Sequence, residues 1–200
     1  MKIIFARHGE TVFGQEERFE GLSNSLLTQK GKIQAKNLGE FCKKEGVKKI
    51  YSSPLGRAQE TSKTVSKDCS LKIVLVNDLK EACYGDWDGK KKSELDQDIL
   101  SKRKKNLLKF ISPGNYKGVK GESYELLFNR LKFFFEKVKK ETKNVVVVSH
   151  LGVIRCAIKY FKNIDTDTFN KLEIPNNYLY IVELNENSLV TSSLLLENES

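Results

Sequence analysis

Four consecutive valines, Val145–Val148, are the most constraining stretch of this 200-residue chain. A strand that is apolar at every position has no side to offer to water, so both its faces must be covered. That is the mark of a central strand in an α/β sheet. The rest of the chain fits around it. Lys2–Ala6, Val47–Tyr51 and Lys72–Asn77 read as further strands, and helix signals alternate with them. Thr28 can cap a helix that presents Ile33, Ala35, Leu38, Phe41 and Cys42 and stops at Gly46. Pro54 suits the first turn of a helix running to about Lys67. Ser93–Ile111 reads as a helix with breaks, its lysines outward, before a turn at Ser112-Pro113-Gly114-Asn115.

The clearest helix begins at Ser123. Leu127, Phe128, Leu131, Phe134, Phe135 and Val138 recur at helical spacing and form a core stripe. Gly152–Phe161 gives another helix. Tyr178–Leu184 and Leu189–Leu196, joined by Asn185-Glu186-Asn187, read as a hairpin at the sheet edge. There is no internal repeat and no linker. The expectation is one domain over residues 1–200, a three-layer αβα sandwich with a mainly parallel central sheet.

Composition narrows the partners. Apolar residues make up 39% and charged residues 30%, the balance of an ordinary globular chain. No apolar run approaches the roughly 18 residues that a membrane span needs. The opening run Met1–Ala6 is too short for a signal peptide, which points to the cytoplasm. Cys42, Cys69, Cys83 and Cys156 show no CxxC spacing, so reduced thiols are expected, with neither a disulfide framework nor a zinc site. The net charge of +9 owes much to Lys90-Lys91-Lys92 and Lys102-Arg103-Lys104-Lys105. Such runs read as solvated surface, and no nucleic-acid motif accompanies them.

The chain has two histidines, and both follow strands. His8 ends the first strand and His150 ends the valine strand. The second strand ends in Ser52-Ser53-Pro54-Leu55-Gly56-Arg57. Ligands of open α/β sheets bind at the carboxyl ends of strands. Three strand ends can therefore bring Arg7, His8, Arg57 and His150 into one pocket. Guanidinium forks match phosphate oxygens, and a neutral imidazole can attack phosphorus and hold it as phosphohistidine. Gly9 would allow a close backbone approach to the pocket. Thr11 could cap the next turn or donate its hydroxyl to an oxygen. The amides of Leu151 and Gly152 would lie at a helix N-terminus, which favours anions. A leaving alkoxide also needs an acid. Glu81 is the strongest candidate, although spacing alone leaves Glu10, Glu81, Asp86 and Asp88 open.

These residues resemble the histidine phosphatase superfamily, also called the phosphoglycerate mutase-like family. The resemblance rests on Arg7-His8-Gly9-Glu10-Thr11; Leu27-Thr28 with Gly31 and Gln34-Ala35; and Ser52-Ser53-Pro54-Leu55-Gly56-Arg57-Ala58. It continues through Leu79, Glu81, Gly85, Trp87 and Gly89, then Gly121-Glu122-Ser123 with Arg130. It ends at Val148-Ser149-His150 with Gly152-Val153-Ile154-Arg155. The resemblance implies His8 as nucleophile and Glu81 as proton donor, then as base for water. It implies Arg7, Arg57 and His150 as phosphate holders, and no metal or other cofactor. Thr11 and the Leu151 amide join them as further phosphate contacts. Gly14 stands where members often carry Asn, and Asn24 and Leu26 where Asp and Pro are usual. Leu151 replaces a small residue, so only its amide can play the family role.

The implied partner is a small phosphorylated substrate, with neither nucleic acid nor membrane. Monomer and homodimer both remain open. The short stretch between the Glu81 and Gly121-Glu122-Ser123 motifs resembles the phosphatase branch more than the longer mutases, so phosphomonoester hydrolysis is expected first and a cofactor-dependent phosphoglycerate mutase second. A non-catalytic basic binding module on the same scaffold is the third reading. No cysteine has an arginine six residues later, and no GxxxxGK[ST] loop occurs. Asp165-Thr166-Asp167-Thr168-Phe169 resembles a magnesium-dependent aspartate site only faintly, and reads as a polar loop.

Overall fold

The computed structural model describes residues 1–175, 177–185 and 188–196. Its elements, in chain order, begin with β1 (Lys2–Arg7), α1 (Val12–Gln15), α2 (Gln29–Lys44), β2 (Lys49–Ser52), α3 (Gly56–Cys69) and β3 (Ile73–Leu75). Next come α4 (Gln97–Lys105), a small hairpin of β4 (Asn115–Tyr116) and β5 (Val119–Lys120), and α5 (Tyr124–Val138). The chain closes with β6 (Val145–Ser149), α6 (Leu151–Lys162), α7 (Thr166–Lys171), β7 (Tyr178–Asn185) and β8 (Ser188–Leu195).

The main sheet has the order β3-β2-β6-β1-β7-β8. β3, β2, β6 and β1 run parallel, while β7 is antiparallel to β1 and β8 to β7. The valine strand is central and every residue of it is buried. Side chains alternate across a strand, so the valines divide between two cores. Val145 and Val147 join Ile3, Phe5, Leu131, Phe135 and Ile154 on the side of α5 and α6. Val146 and Val148 join Ile4, Ala6, Leu38, Ile50 and Ala58 on the side of α2 and α3. This division makes the three layers.

Local signals acted as read at several helix starts. Thr28 caps α2 by accepting the Gly31 N–H at 3.0 Å, and Ser123 caps α5 by accepting the Leu126 N–H at 3.2 Å. Other expectations shift. α3 begins at Gly56, after Pro54, with Leu55 at the cap. β3 covers only three residues of the expected Lys72–Asn77 strand. Within Ser93–Ile111 only Gln97–Lys105 is α-helical, because Leu107 and Leu108 leave the helix and turn into the core. The Asp165 segment is a cap rather than a loop: its carboxylate accepts the Thr168 N–H at 2.8 Å and starts α7. β7 and β8 pair as the expected edge hairpin. Glu186 and Asn187 of its turn lie outside the described residues. Among the described residues no helix is long and apolar enough to cross a membrane.

Gly9 does allow a close approach, but to α2 rather than to the pocket. A Cβ on Gly9 would lie 2.2 Å from the Gly31 carbonyl oxygen, and one on Gly31 would lie 2.0 Å from the Glu10 carbonyl oxygen. This contact fixes the loop that follows β1. Gly31→Ala is expected to destabilise the fold by about 1–3 kcal/mol, as overpacking of backbone does. Urea unfolding checks it, and a midpoint equal to that of the parent would contradict it.

Candidate active site

Parallel pairing places Arg7 opposite Ser149, and the His8 N–H donates to the Ser149 carbonyl at 3.0 Å. The next residue of each strand is thus a histidine leaving the sheet beside the other. Their ring centroids lie 5.2 Å apart, and both side chains are buried. Arg57 enters from the first turn of α3, 1% exposed, and its Nε donates to His8 Nε2 at 3.1 Å. Its Nη1 donates to the Ser23 carbonyl at 2.7 Å and its Nη2 to the Gly21 carbonyl at 2.8 Å. Arg57 therefore shapes the 20–23 loop while it faces His8. Arg7 approaches from the end of β1. The four residues expected in one pocket are brought together.

The state of His8 follows from its partners. Its Nδ1 lies 2.8 Å from the Gly9 carbonyl oxygen. A carbonyl only accepts, so Nδ1 carries the hydrogen and Nε2 the lone pair. The Arg57 donor at Nε2 requires the same tautomer. Burial, then the Arg57 and Arg7 guanidiniums, hold the ring well below the usual histidine range. Burial likewise lowers His150, with help from Arg57, His8 and Arg7. His150 Nε2 meets Ser53 Oγ at 2.8 Å, while its buried Nδ1 has no hydrogen-bond partner among the described residues.

The structure separates the four carboxylates that spacing left open. Glu10 turns toward α2, where it accepts from Thr28 Oγ1 at 2.9 Å and pairs with Lys30. Asp86 accepts the Asn115 N–H at 3.0 Å, beside the small hairpin. Asp88 accepts the Leu22 N–H at 2.8 Å and the Tyr84 N–H at 3.0 Å, tying two loops together. Burial raises its carboxyl to about 6. Glu81 alone sits at the head of α6, accepting the Ala82 N–H at 2.9 Å and the Gly152 N–H at 3.1 Å. The Gly152 amide thus serves this carboxylate rather than an incoming ligand. Leu151 heads α6, half-buried.

Thr11 adopts the capping alternative: its Oγ1 accepts the Gly14 N–H at 3.0 Å and donates to Glu20 Oε1. By sequence Glu20 reads only as part of the pocket wall; in the structure it reaches the centre of the site. Its Oε2 lies 3.6 Å from His8 Nε2, 3.8 Å from Arg57 Nε and 3.9 Å from an Arg7 Nη. Sequence reasoning also missed Ser53 as the partner of His150; its place directly after β2 was the signal. Arg103 departs from the solvated-surface reading of the lysine runs, since its guanidinium lies over the rings of Phe19, Tyr84 and Tyr124.

Two buried neutral histidines make the fold sensitive to acid. Below about pH 6.5 the unfolded chain protonates them and the folded chain resists, so their contribution is complete above that pH and is lost as pH falls. The melting temperature is expected to drop between about pH 7.5 and pH 5.5, and to drop less in His150→Gln. An equal drop in both proteins would assign the acid sensitivity to other groups.

Residues 3–195 match the model of the histidine phosphatase superfamily (branch 1). The chain is 29% identical to phosphoserine phosphatase 1 of Hydrogenobacter thermophilus, over 93% of this chain and 88% of that protein. It is 28% identical to the 2,3-bisphosphoglycerate-dependent phosphoglycerate mutase of Elusimicrobium minutum, over 98% and 91%. Its fold is similar to the crystal structure of the alpha-ribazole phosphatase from Shigella flexneri, with a TM-score of 0.82 and 23% identity across 99% of this chain and 97% of that one. A match over almost the whole length, on a sheet that sets two histidines side by side, places the chain in the histidine phosphatase superfamily.

Proposed function

We propose that the chain is a phosphomonoesterase that works through a phosphohistidine on His8. One observation carries this reading: the Nδ1 hydrogen is held by the Gly9 carbonyl, which leaves the Nε2 lone pair facing the guanidiniums. A phosphoryl group lodged there has Arg7 and Arg57 for its oxygens, and takes over the N–H that Arg57 gives to Nε2. His150 Nδ1 supplies a further contact. The Leu151 amide is the remaining contact of the set, with Thr11 acting through Glu20.

Two steps follow. His8 Nε2 attacks phosphorus, the ester P–O bond breaks, and the departing oxygen takes a proton from Glu81. The Glu81 carboxylate then takes a proton from water, the water oxygen attacks phosphorus, and the P–N bond breaks to release phosphate. Both steps begin and end on the chain's own residues, so the reading calls for no metal or other cofactor. Preorganised charge supplies most of the rate enhancement in such sites.

The phosphoserine phosphatase relative supports hydrolysis. The phosphoglycerate mutase relative, at almost the same identity, keeps transfer between two positions of one substrate as a second reading. A mutase must hold its intermediate away from water. Between Asp88 and Glu122 this chain offers only one short helix, one 3₁₀ turn and the small hairpin as cover, which favours hydrolysis. Comparing phosphate release from an aryl phosphate with isomerisation of 3-phosphoglycerate separates the two.

His8→Ala is expected to abolish turnover, and retained turnover would reject the nucleophile. Glu81→Gln is expected to slow hydrolysis of an alkyl phosphate by about 10²–10⁴-fold, the usual size of general acid catalysis. The loss on nitrophenyl phosphate should be smaller, because that leaving group departs without a proton. Equal losses on the two esters would remove Glu81 from the acid role.

A further inference from the structure

Glu20 is an anion placed where an anion must bind. It is 8% exposed, and one of its oxygens lies within 3.9 Å of three groups that would hold a phosphoryl group. Its position is built. Thr11 Oγ1 donates to Oε1, the Ser23 hydroxyl donates to the Glu20 carbonyl oxygen, and Arg57 grips the carbonyls of Gly21 and Ser23 on the following turn. Gly21 holds a left-handed φ of +46°, and a Cβ there would lie 1.7 Å from Asp88 Oδ1. The loop therefore has little room to carry the carboxylate away.

A fully ionised phosphate monoester carries two negative charges, and its oxygens would meet Oε2 of Glu20. A singly protonated monoester presents a P–OH to the same atom and donates a hydrogen bond. We propose that Glu20 makes this pocket selective for phosphate esters that bring one proton with them, by accepting a hydrogen bond from the P–OH. This rests on the phosphomonoesterase reading of the site and extends it to the protonation state of the substrate. Glu20 and the phosphoryl group share a single proton, whichever oxygen carries it. Arg7 and Arg57 take the remaining oxygens, and His8 Nε2 faces phosphorus.

The ionisable surroundings are consistent with one added proton. The end of β1 contributes Arg7 and His8, α3 contributes Arg57, and His150 stands behind His8. Glu81 and Tyr84 are further electrostatic neighbours of Arg57, and Asp88 accepts the Leu22 N–H on the loop. Arg103 over Tyr84 completes the set. The second ionisation of an organic phosphate falls near pH 6. The substrate itself can therefore supply this proton across mildly acidic to neutral conditions.

Phosphate and sulfate separate the proposal cleanly, since phosphate can carry a proton in this range and sulfate cannot. Calorimetric titration of the full chain with each ion requires no turnover. The parent protein is expected to bind phosphate more than tenfold tighter than sulfate at neutral pH. In Glu20→Gln, sulfate binding should tighten at least tenfold and the discrimination should collapse. Equal affinities of the parent for the two ions would overturn the proposal, as would a variant that still rejects sulfate. The comparison on the parent decides the matter even where the variant fails to fold. A chain that selects phosphate over sulfate yet hydrolyses no ester loses only the enzymatic reading. A chain that hydrolyses esters but binds both ions alike loses only the role of Glu20.

Discussion

The parallel pairing of β1 with β6 sets where chemistry can occur, because it fixes two chain directions at once. Residues Ile3 to Arg7 run beside Val145 to Ser149 in register, and each strand delivers a histidine one residue past its end. The strands lie about 4.8 Å apart in such a sheet, which is close to the separation of the two rings. The buried valines hold this register, since a slip of one residue would send Val145 and Val147 to the wrong core. The chemical pair is thus a consequence of core packing along the same two strands.

Electrostatics then follows from burial. Arg57 and both imidazoles are withdrawn from water, so their charges and lone pairs act at short range with little screening. A buried guanidinium needs oxygen partners, and the loop carbonyls of Gly21 and Ser23 satisfy it. The same bonds set the loop that carries Glu20. One arginine therefore links His8, the loop and the Glu20 carboxylate. Glu81 approaches Arg57 from the head of α6, where the Ala82 and Gly152 N–H groups orient its two oxygens.

Much of this could be seen in the chain of letters. The valine run announced the central strand, Thr28 and Ser123 announced helix starts, and the residues just past three strands supplied His8, His150 and Arg57. Each of those signals is local: a periodicity, a cap or a strand end. What escaped depends on distant segments. Glu20 follows no strand and gains meaning only when α3 brings Arg57 over its loop. Arg103 sits in a lysine-rich run, and only the folding of α4 onto Phe19, Tyr84 and Tyr124 distinguishes it from its neighbours. The four candidate carboxylates looked alike because loop geometry, not spacing, decides which one meets α6.

The central claim is that His8 Nε2 accepts the phosphoryl group, and trapping the intermediate tests it most directly. The protein would be mixed with an aryl phosphate, quenched in alkali within the first turnover, digested and mapped by mass spectrometry under conditions that preserve phosphoramidates. The account predicts a single phosphoryl group on His8. Phosphate found on a different side chain, or an unmodified His8 in protein that is demonstrably turning over, would contradict it.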